Sequence, residues 1–323
     1  MHDVRYARGI HLPAEGLWLD PSRRQTLAFV SHAHSDHAGR HEATIATPET
    51  LELMQARMGR LSGELHPLAF GEEKKWEDFS IRLLPAGHIL GSAQCLIQSA
   101  AGSLLYTGDF KLRKGMTTGA AESLTADTLI METTFGLPRY IFPPAEAVIA
   151  NILGFCRQAM EDRAVPVLLA YSLGKAQEVL AALSCAGIPA MPHKSIAALL
   201  PAYERAGFVF SGCRTWDPEQ AGECVVICPP SAIRSLATIP RRRTAAITGW
   251  AIDSSTVYRM KCDAAFPLSD HAGYDDLLAH VENVSPKRVF TLHGYASEFA
   301  RDLRALGIEA WSLLGADQLD LPL

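Results

Sequence analysis

Short apolar runs recur along this chain, and each ends at a small or polar residue. The runs are Leu27–Val30, Ile81–Leu84, Leu104–Tyr106, Leu129–Met131 and Val289–Leu292. Their length and their content of aliphatic residues predict buried β-strands. The residues that follow these runs include, in the same order, His32, His88, Asp109, Glu132 and His293. The pattern therefore predicts strands whose carboxyl ends deliver polar side chains.

Between these runs, apolar residues recur at helical spacing. Thr47 and Pro48 supply an N-cap and a first-turn proline ahead of apolar positions 51, 54, 58 and 61. Further helices are predicted from Pro144 onward and around 277–281 and 299–306. Alternating strands and helices predict an α/β architecture.

Residues 137–248 carry no candidate ligands of the kind found on either side. They carry strand–helix units of their own: Val165–Tyr171 leads into a helix at Gly174–Leu183, and further strands are expected at Met191, Phe208–Phe210 and Val225–Ile227. A length of 323 residues also suggests two domains, at about 150 residues each. We therefore expect a second domain at 137–248, inserted into a first domain formed by 1–136 and 249–323.

The composition is that of a folded protein. The chain is 48% hydrophobic and 20% charged, and its apolar runs are short, so neither a membrane span nor a secretory signal is expected. The seven scattered cysteines favour a reducing, cytoplasmic location over a disulfide framework. A net charge of −5 gives no general attraction to phosphate, so any nucleic-acid contact requires a local basic patch.

The strongest chemical signal is the hexapeptide HAHSDH at His32–His37, directly after a predicted strand. Such close spacing in a loop lets imidazoles and a carboxylate converge, and both are ligands that Zn²⁺ takes at about 2.0–2.2 Å. One hexapeptide cannot complete two metal sites. His88, Asp109 and His293, at other strand ends, offer the remaining ligands.

These motifs resemble those of a known family. HAHSDH, AGHILGSA at 86–93 and TGDF at 107–110 resemble the metallo-β-lactamase fold family. ETTFG at 132–136, SDHAG at 269–273 and LHG at 292–294 resemble its β-CASP branch, which includes Artemis-type DNA-repair nucleases, RNase J and the cleavage-and-polyadenylation endonuclease. Within the branch, the resemblance is nearest to bacterial ligase-associated DNA exonucleases. It implies a four-layer αββα sandwich with an inserted α/β β-CASP domain.

The resemblance also implies a site for two Zn²⁺ ions, with Mn²⁺ as the alternative. The implied ligands are His32, His34 and His88 for the first ion, Asp36, His37 and His293 for the second, and Asp109 for both. Asp20 is expected to orient a ligand histidine.

Catalytic roles follow from the same resemblance. A hydroxide bridging the two ions would attack a phosphodiester, because metal binding lowers the pKa of water to about 7. His271 would protonate the leaving oxygen, since its unperturbed pKa of about 6.5 lies near working pH. Glu132 would orient the His271 ring, and Asp36 would be required for turnover as a ligand.

Nucleic-acid contacts are predicted at three places. Ser172, Gly174 and Lys175 follow a strand and open a helix, where N–H groups, a hydroxyl and an ammonium suit a phosphate; a plain helix cap is the alternative. Arg139 follows the Glu132 motif. Trp250 either stacks on a base or packs at the domain junction.

The implied function is that of a zinc-dependent nuclease, a DNA exonuclease in repair, with a DNA ligase and a helicase as partners by family analogy. His293 stands where Artemis-type enzymes have an aliphatic residue, so an RNA-processing exonuclease or endonuclease stays open. Two further functions compete with a nuclease: a small-molecule hydrolase on the same metal platform and an inactive scaffold subunit. The inserted domain favours a nuclease over the hydrolase, and the complete ligand set disfavours the scaffold subunit.

Overall fold

The computed structural model describes residues 2–314, which form two units. Of the described residues, unit 1 contains 2–114, 118–141 and 271–314, and unit 2 contains 115–117 and 142–270. Unit 2 therefore interrupts unit 1 in sequence. None of the helices in the described range is both long and apolar enough to cross a bilayer.

Among the described residues, strands outnumber helices in unit 1, and helices and strands alternate in unit 2. The first strands are β1 (Arg5–Tyr6), β2 (Ile10–Leu12), β3 (Leu17–Leu19), β4 (Leu27–Phe29), β5 (Ala43–Ala46), β6 (Glu64–Pro67), β7 (Glu73–Lys75), β8 (Phe79–Pro85), β9 (Ala93–Ser99), β10 (Gly102–Tyr106) and β11 (Thr128–Glu132). They are followed by β12 (Val165–Leu169), β13 (Ala190–Pro192), β14 (Val225–Cys228), β15 (Arg242–Ile247), β16 (Ala264–Phe266), β17 (Arg288–Leu292) and β18 (Ala310–Ser312).

The α-helices are α1 (Pro48–Met58), α2 (Ala145–Glu161), α3 (Lys175–Cys185), α4 (Lys194–Ala197), α5 (Leu200–Arg205), α6 (Thr256–Met260), α7 (Tyr274–Val284) and α8 (Ala296–Ala305). Short 3-10 helices span Pro218–Glu223, Pro230–Leu236 and Gly249–Ile252. The predicted start of α1 is confirmed: the Thr47 side chain accepts a hydrogen bond from the Thr50 N–H, and Pro48 occupies the first turn.

Unit 1 holds two sheets. A six-stranded sheet has the order β1-β2-β3-β4-β5-β6, and a seven-stranded sheet has the order β18-β17-β11-β10-β9-β8-β7. In the second sheet, β8 and β10 are both antiparallel to β9, and β10, β11 and β17 pair in parallel. The strands β8, β10, β11 and β17 therefore run in one direction, and their carboxyl ends meet at one edge of the sheet.

Two cores cover the two faces of the seven-stranded sheet. Tyr106 and Ile130 pack with Leu19 and Phe29 of the six-stranded sheet. The alternate residues Leu105, Leu129 and Met131 pack with side chains of α7 and α8, as the period of two along a strand requires. With three sheets in the described residues and helices between strands, the predicted α/β class is confirmed.

Unit 2 is built on a five-stranded parallel sheet in the order β13-β14-β12-β15-β16. The second boundary of the predicted insertion, at residue 248, differs from the structure. Residues 249–270 belong to unit 2, because β16 pairs with β15 in register from Ala245 to Ile247. The expected strand at Phe208–Phe210 is also wrong: this segment has no strand pairing and its two rings pack against Tyr203 instead.

Candidate metal centre

The edge where β8, β10 and β17 end carries a convergence of imidazoles and carboxylates. His88 follows β8, Asp109 follows β10, and His293 follows β17. The loop His32–His37 follows β4 of the other sheet of unit 1. Glycines permit this approach: a Cβ on Gly108 would lie 2.6 Å from the Ser31 Cβ, and one on Gly294 would lie 2.4 Å from the Thr134 Cα. His293 has a φ of 61°, a strained conformation of the kind that concentrates at functional sites.

A first group consists of His32, His34, His88 and Asp109, whose ligand atoms all lie within 4.8 Å of one another. The His34 Nδ1 lies 3.0 Å from the His32 Nε2 and 3.0 Å from the His88 Nε2. Ligand atoms around a tetrahedral zinc ion, at about 2.0–2.1 Å from the metal, are about 3.3 Å apart. The first group therefore has the donor atoms and the spacing of a zinc site.

A second group consists of His37, Asp109 and His293. The Asp109 Oδ2 lies 3.5 Å from the His32 Nε2 and 3.5 Å from the His37 Nε2. One carboxylate oxygen thus stands between the two groups. The geometry is that of a carboxylate which can bind two cations at once.

The electrostatics of the two groups suit cation binding. Burial, together with the neighbouring histidines, lowers the pKa of His32 well below its ordinary value, so this imidazole is neutral, as a metal ligand must be. Burial opposes protonation of His37 as well, but Asp109 and Asp20 raise its pKa to about 10. The carboxylates around His37 therefore attract positive charge, which a divalent cation can supply.

Asp20 fixes Ser31 and His37 through hydrogen bonds to its carboxylate. Its carboxylate is buried and accepts hydrogen bonds from the Ser31 N–H at 2.7 Å, the Ser31 hydroxyl at 2.5 Å, the Tyr106 hydroxyl at 2.8 Å and the His37 Nδ1 at 2.7 Å. The bond to Nδ1 leaves the His37 Nε2 directed toward Asp109. The structure therefore gives Asp20 the contacts that its expected orienting role needs.

Asp36 is placed less centrally than the other expected ligands. Its side chain is 76% exposed and one oxygen lies 3.8 Å from the His37 Nε2. Among residues 2–314 it belongs to neither convergent group. Its assignment as a ligand of the second metal stays a prediction.

Glu132 and His271 meet beside the two groups. The His271 Nδ1 lies 2.8 Å from the Glu132 Oε1. The same carboxylate is fixed by the N–H groups of Phe110 at 3.2 Å and Thr134 at 3.0 Å. Burial opposes ionisation of Glu132, but the attraction of His271 together with the hydrogen bonds from His271 and Thr134 lowers its pKa, which keeps it ionised. The His271 ring centre lies 4.6 Å from that of His88, so a proton on the far nitrogen of His271 is close to the metal groups.

Arg139 is held by two tyrosines. Its guanidinium donates to the hydroxyls of Tyr140 at 3.1 Å and Tyr295 at 3.0 Å, and it lies over both rings. No carboxylate among the described residues pairs with it. A rigid guanidinium without a counter-ion is suited to an anionic ligand.

The predicted phosphate contact at the start of α3 is mostly occupied by the protein itself. Lys175 is 3% exposed and paired with Asp270, so a direct phosphate contact by this ammonium is not supported. The Gly174 N–H is donated to the Gln177 side chain. Ser172 is half-buried, with its hydroxyl 3.0 Å from that of Ser195. Trp250 is 36% exposed and lines a cavity within unit 2.

Sequence reasoning missed two supporting residues, Tyr106 and Ser31. For Tyr106, the sequence feature that could have indicated this role is its position at the end of an apolar strand, where a buried phenol needs a hydrogen-bond acceptor. Its acceptor, Asp20, lies 86 positions away in the sequence.

Known proteins similar to this chain include nucleases. No family model matches the chain. The chain is 48% identical to a probable DNA ligase of Opitutus terrae, over 99% of this chain and 32% of that protein. It is 29% identical to the probable RNase MJ4 of Methanocaldococcus jannaschii, over 48% of this chain and 44% of that protein. It is 31% identical to the 5′ exonuclease Apollo of Gallus gallus, over 49% of this chain and 35% of that protein.

The chain is thus similar to β-CASP metallo-β-lactamase nucleases, and in the case of the Opitutus terrae protein this similarity covers 99% of the chain. The chain spans less than half the length of each of these three relatives. Similarity to these nucleases implies divalent metal binding, and the histidine and aspartate groups of unit 1 could hold such ions.

Proposed function

We propose that this chain is a metal-dependent phosphodiesterase that cuts nucleic acid, and that DNA is its substrate. The observation that carries the proposal is the Asp109 Oδ2, which lies 3.5 Å from a histidine of each group, beside the paired Glu132 and His271. A carboxylate shared between two groups of imidazoles is suited to hold two metal ions close enough for two-metal hydrolysis.

Two Zn²⁺ ions fit the donor set, with Mn²⁺ as the alternative. His32, His34 and His88 would hold one ion, His37 and His293 with Asp36 the other, and Asp109 both. When bound, the two ions supply Lewis acidity at the phosphate and a water whose pKa is lowered to near neutrality.

The remaining steps belong to the chain's own residues. His271 is the proton donor to the leaving oxygen, because its Nδ1 is taken by Glu132 and its other nitrogen lies on the side of the metal groups. Glu132 fixes the ring and favours its protonated form. Arg139 binds a backbone phosphate near the site, since the two tyrosines hold its guanidinium in place.

The two sheets of unit 1 are proposed to form the αββα sandwich of the family. Support comes from the shared core between the sheets and from the packing of α7 and α8 on the outer face of the seven-stranded sheet. This arrangement carries the ligand loops on one edge.

Three relatives bear on the substrate and the partners. The name of Apollo, a 5′ exonuclease, supports exonuclease action, and the name of the probable DNA ligase supports DNA repair with a ligase as partner. A helicase partner rests on the sequence resemblance alone. RNA is the second candidate substrate, favoured by the similarity to the probable RNase MJ4.

Cleavage of end-labelled strands tests the proposal. Zinc-loaded protein should shorten DNA from an end and leave a chromogenic lactam intact, whereas shortening of RNA alone would favour the second candidate substrate. Single- and double-stranded forms with and without a 5′-phosphate will define the preferred end. Asp109→Ala should abolish cleavage, whereas Asp127→Asn should not, because Asp127 pairs with Lys287 away from the site. Lactam hydrolysis without strand cleavage would contradict the proposal.

A further inference from the structure

Unit 2 contains a cavity at the carboxyl ends of its parallel strands. It has a volume of about 470 Å³ and is lined by Leu169 at the end of β12, by Ile247 at the end of β15, and by residues that follow both strands. Cavities of this size match small-molecule sites, which range over about 300–1,000 Å³.

The strand order of unit 2 places this cavity where the winding of the parallel sheet reverses. From β12 the chain passes to β13 and β14 on one side, then crosses to β15 and β16 on the other side. The direction of winding therefore reverses between β12 and β15, which pair in register from Val165 to Leu169. In open parallel sheets, ligands bind in the crevice outside the carboxyl ends at such a reversal.

The lining of the cavity defines the chemistry of a ligand. Two aromatic side chains take part, Tyr171 at 61% exposure and Trp250 at 36%. The Tyr171 hydroxyl makes no hydrogen bond within the described chain. The lining includes one cation, Arg259, and no carboxylate. A ligand with a flat apolar face and a negative charge meets all of these features.

Arg259 is oriented at this cavity. Its guanidinium donates to the Thr256 hydroxyl at 2.9 Å and lies 3.6 Å from an oxygen of Asp253, while its side chain stays 59% exposed. The Thr256 hydroxyl in turn donates to the Trp250 carbonyl at 2.8 Å. The Thr256 hydroxyl therefore already donates one hydrogen bond and accepts another. Few lining groups remain to form hydrogen bonds with the edge of a base, so recognition would depend on stacking and charge.

We propose that this cavity binds a nucleoside monophosphate unit, with the base stacked on Trp250 and Tyr171 and the phosphate at Arg259. The unit comes either from a free mononucleotide or from an unpaired position in a strand. The second source rests on the proposed nuclease function; the first does not.

Binding of small probes to the metal-bound chain of 323 residues tests the nucleotide site. The probes are dAMP, deoxyadenosine and a single-stranded hexadeoxynucleotide that carries 2-aminopurine and phosphorothioate linkages to resist cleavage. Loss of one stacking side chain should weaken binding by about 5- to 150-fold. We expect this for Tyr171→Ala and Trp250→Ala, with recovery in Trp250→Phe and unfolding midpoints close to wild type.

A matched control lies on α6. Tyr258 is 84% exposed and does not line the cavity, so Tyr258→Ala should bind all probes as wild type does. Arg259→Gln should weaken dAMP several-fold and leave deoxyadenosine unchanged. Binding of dAMP alone supports a free nucleotide, and binding of the strand, with or without dAMP, supports a strand-borne unit.

The proposal is overturned if no probe binds, or if probes bind equally to wild type, Tyr171→Ala and Trp250→Ala. Because no probe is cut, failure here leaves the nuclease proposal standing. Absence of strand cleavage by zinc-loaded protein would likewise leave the dAMP result valid.

Discussion

Replacing Asp20 by asparagine tests how the metal ligands are held. Three donors converge on the Asp20 Oδ2 and a fourth on Oδ1. In either orientation, the amide of Asn leaves at least one donor facing another donor, and every contact loses its charged acceptor. We expect the metal-free protein to lose about 3 kcal/mol of unfolding free energy.

Metal affinity tests the orienting role of Asp20 more specifically than the free energy of unfolding does. A group that orients a ligand histidine contributes about 10- to 100-fold in metal affinity, which corresponds to about 1.4–2.8 kcal/mol. Competition with a chromophoric chelator should show the loss of zinc affinity in Asp20→Asn. Urea unfolding of the metal-free protein should show the loss of unfolding free energy.

Glu15→Gln is the matched control. Glu15 is also buried and also accepts from a histidine, His2 at 2.9 Å, and from the Ser99 hydroxyl at 2.9 Å, but it belongs to neither metal group in the described chain. This variant should lose stability and keep wild-type zinc affinity. Equal zinc affinity in Asp20→Asn and wild type would refute the orienting role.

Three further predictions concern other residues. Asp36→Asn should fold, bind the second metal more weakly and turn over little; unchanged activity of the purified variant would remove Asp36 from the ligand set. Glu132→Gln should lower the cleavage rate by about 100-fold or more, with zinc content unchanged, because the Gln amide lacks the negative charge that favours the protonated form of His271, even if its oxygen still accepts from the Nδ1; a wild-type rate would exclude this role. Burial lowers the pKa of His280 from 6.5 to about 4, so the folded state stays neutral while the unfolded chain takes up a proton. Stability should therefore fall by up to about 3 kcal/mol as the pH drops from 6.5 to 4, and His280→Gln, measured in chelator, should lack this loss; parallel pH profiles would contradict it.

The sequence predicted the residues at the two metal groups better than it predicted the boundaries of unit 2. Polar residues at the ends of apolar runs, such as His88 and Asp109, were predictable because parallel strands deliver their carboxyl ends to one edge. The three residues of β16 carry too little pattern to reveal that they extend the sheet of unit 2. Sheet pairing over long sequence distances decides such boundaries, and local patterning does not record it.

Contacts between distant residues explain the other differences. Lys175 has the position of a phosphate ligand at a helix start, yet Asp270, 95 positions later, pairs with it in the interior. A nucleic-acid contact by Arg139 could be predicted from its position after the Glu132 motif. The hydrogen bonds that hold it to Tyr140 and Tyr295 could not be predicted from the sequence. Local spacing identifies candidate chemistry, and tertiary contacts decide which side chains are available.

The proposed chemistry depends on Asp109 joining two cation sites. Diffraction at the zinc absorption edge, from crystals equilibrated with zinc, tests this most directly. We expect two anomalous peaks about 3.5–4 Å apart, on either side of the Asp109 carboxylate. A single peak there, or none, would contradict it.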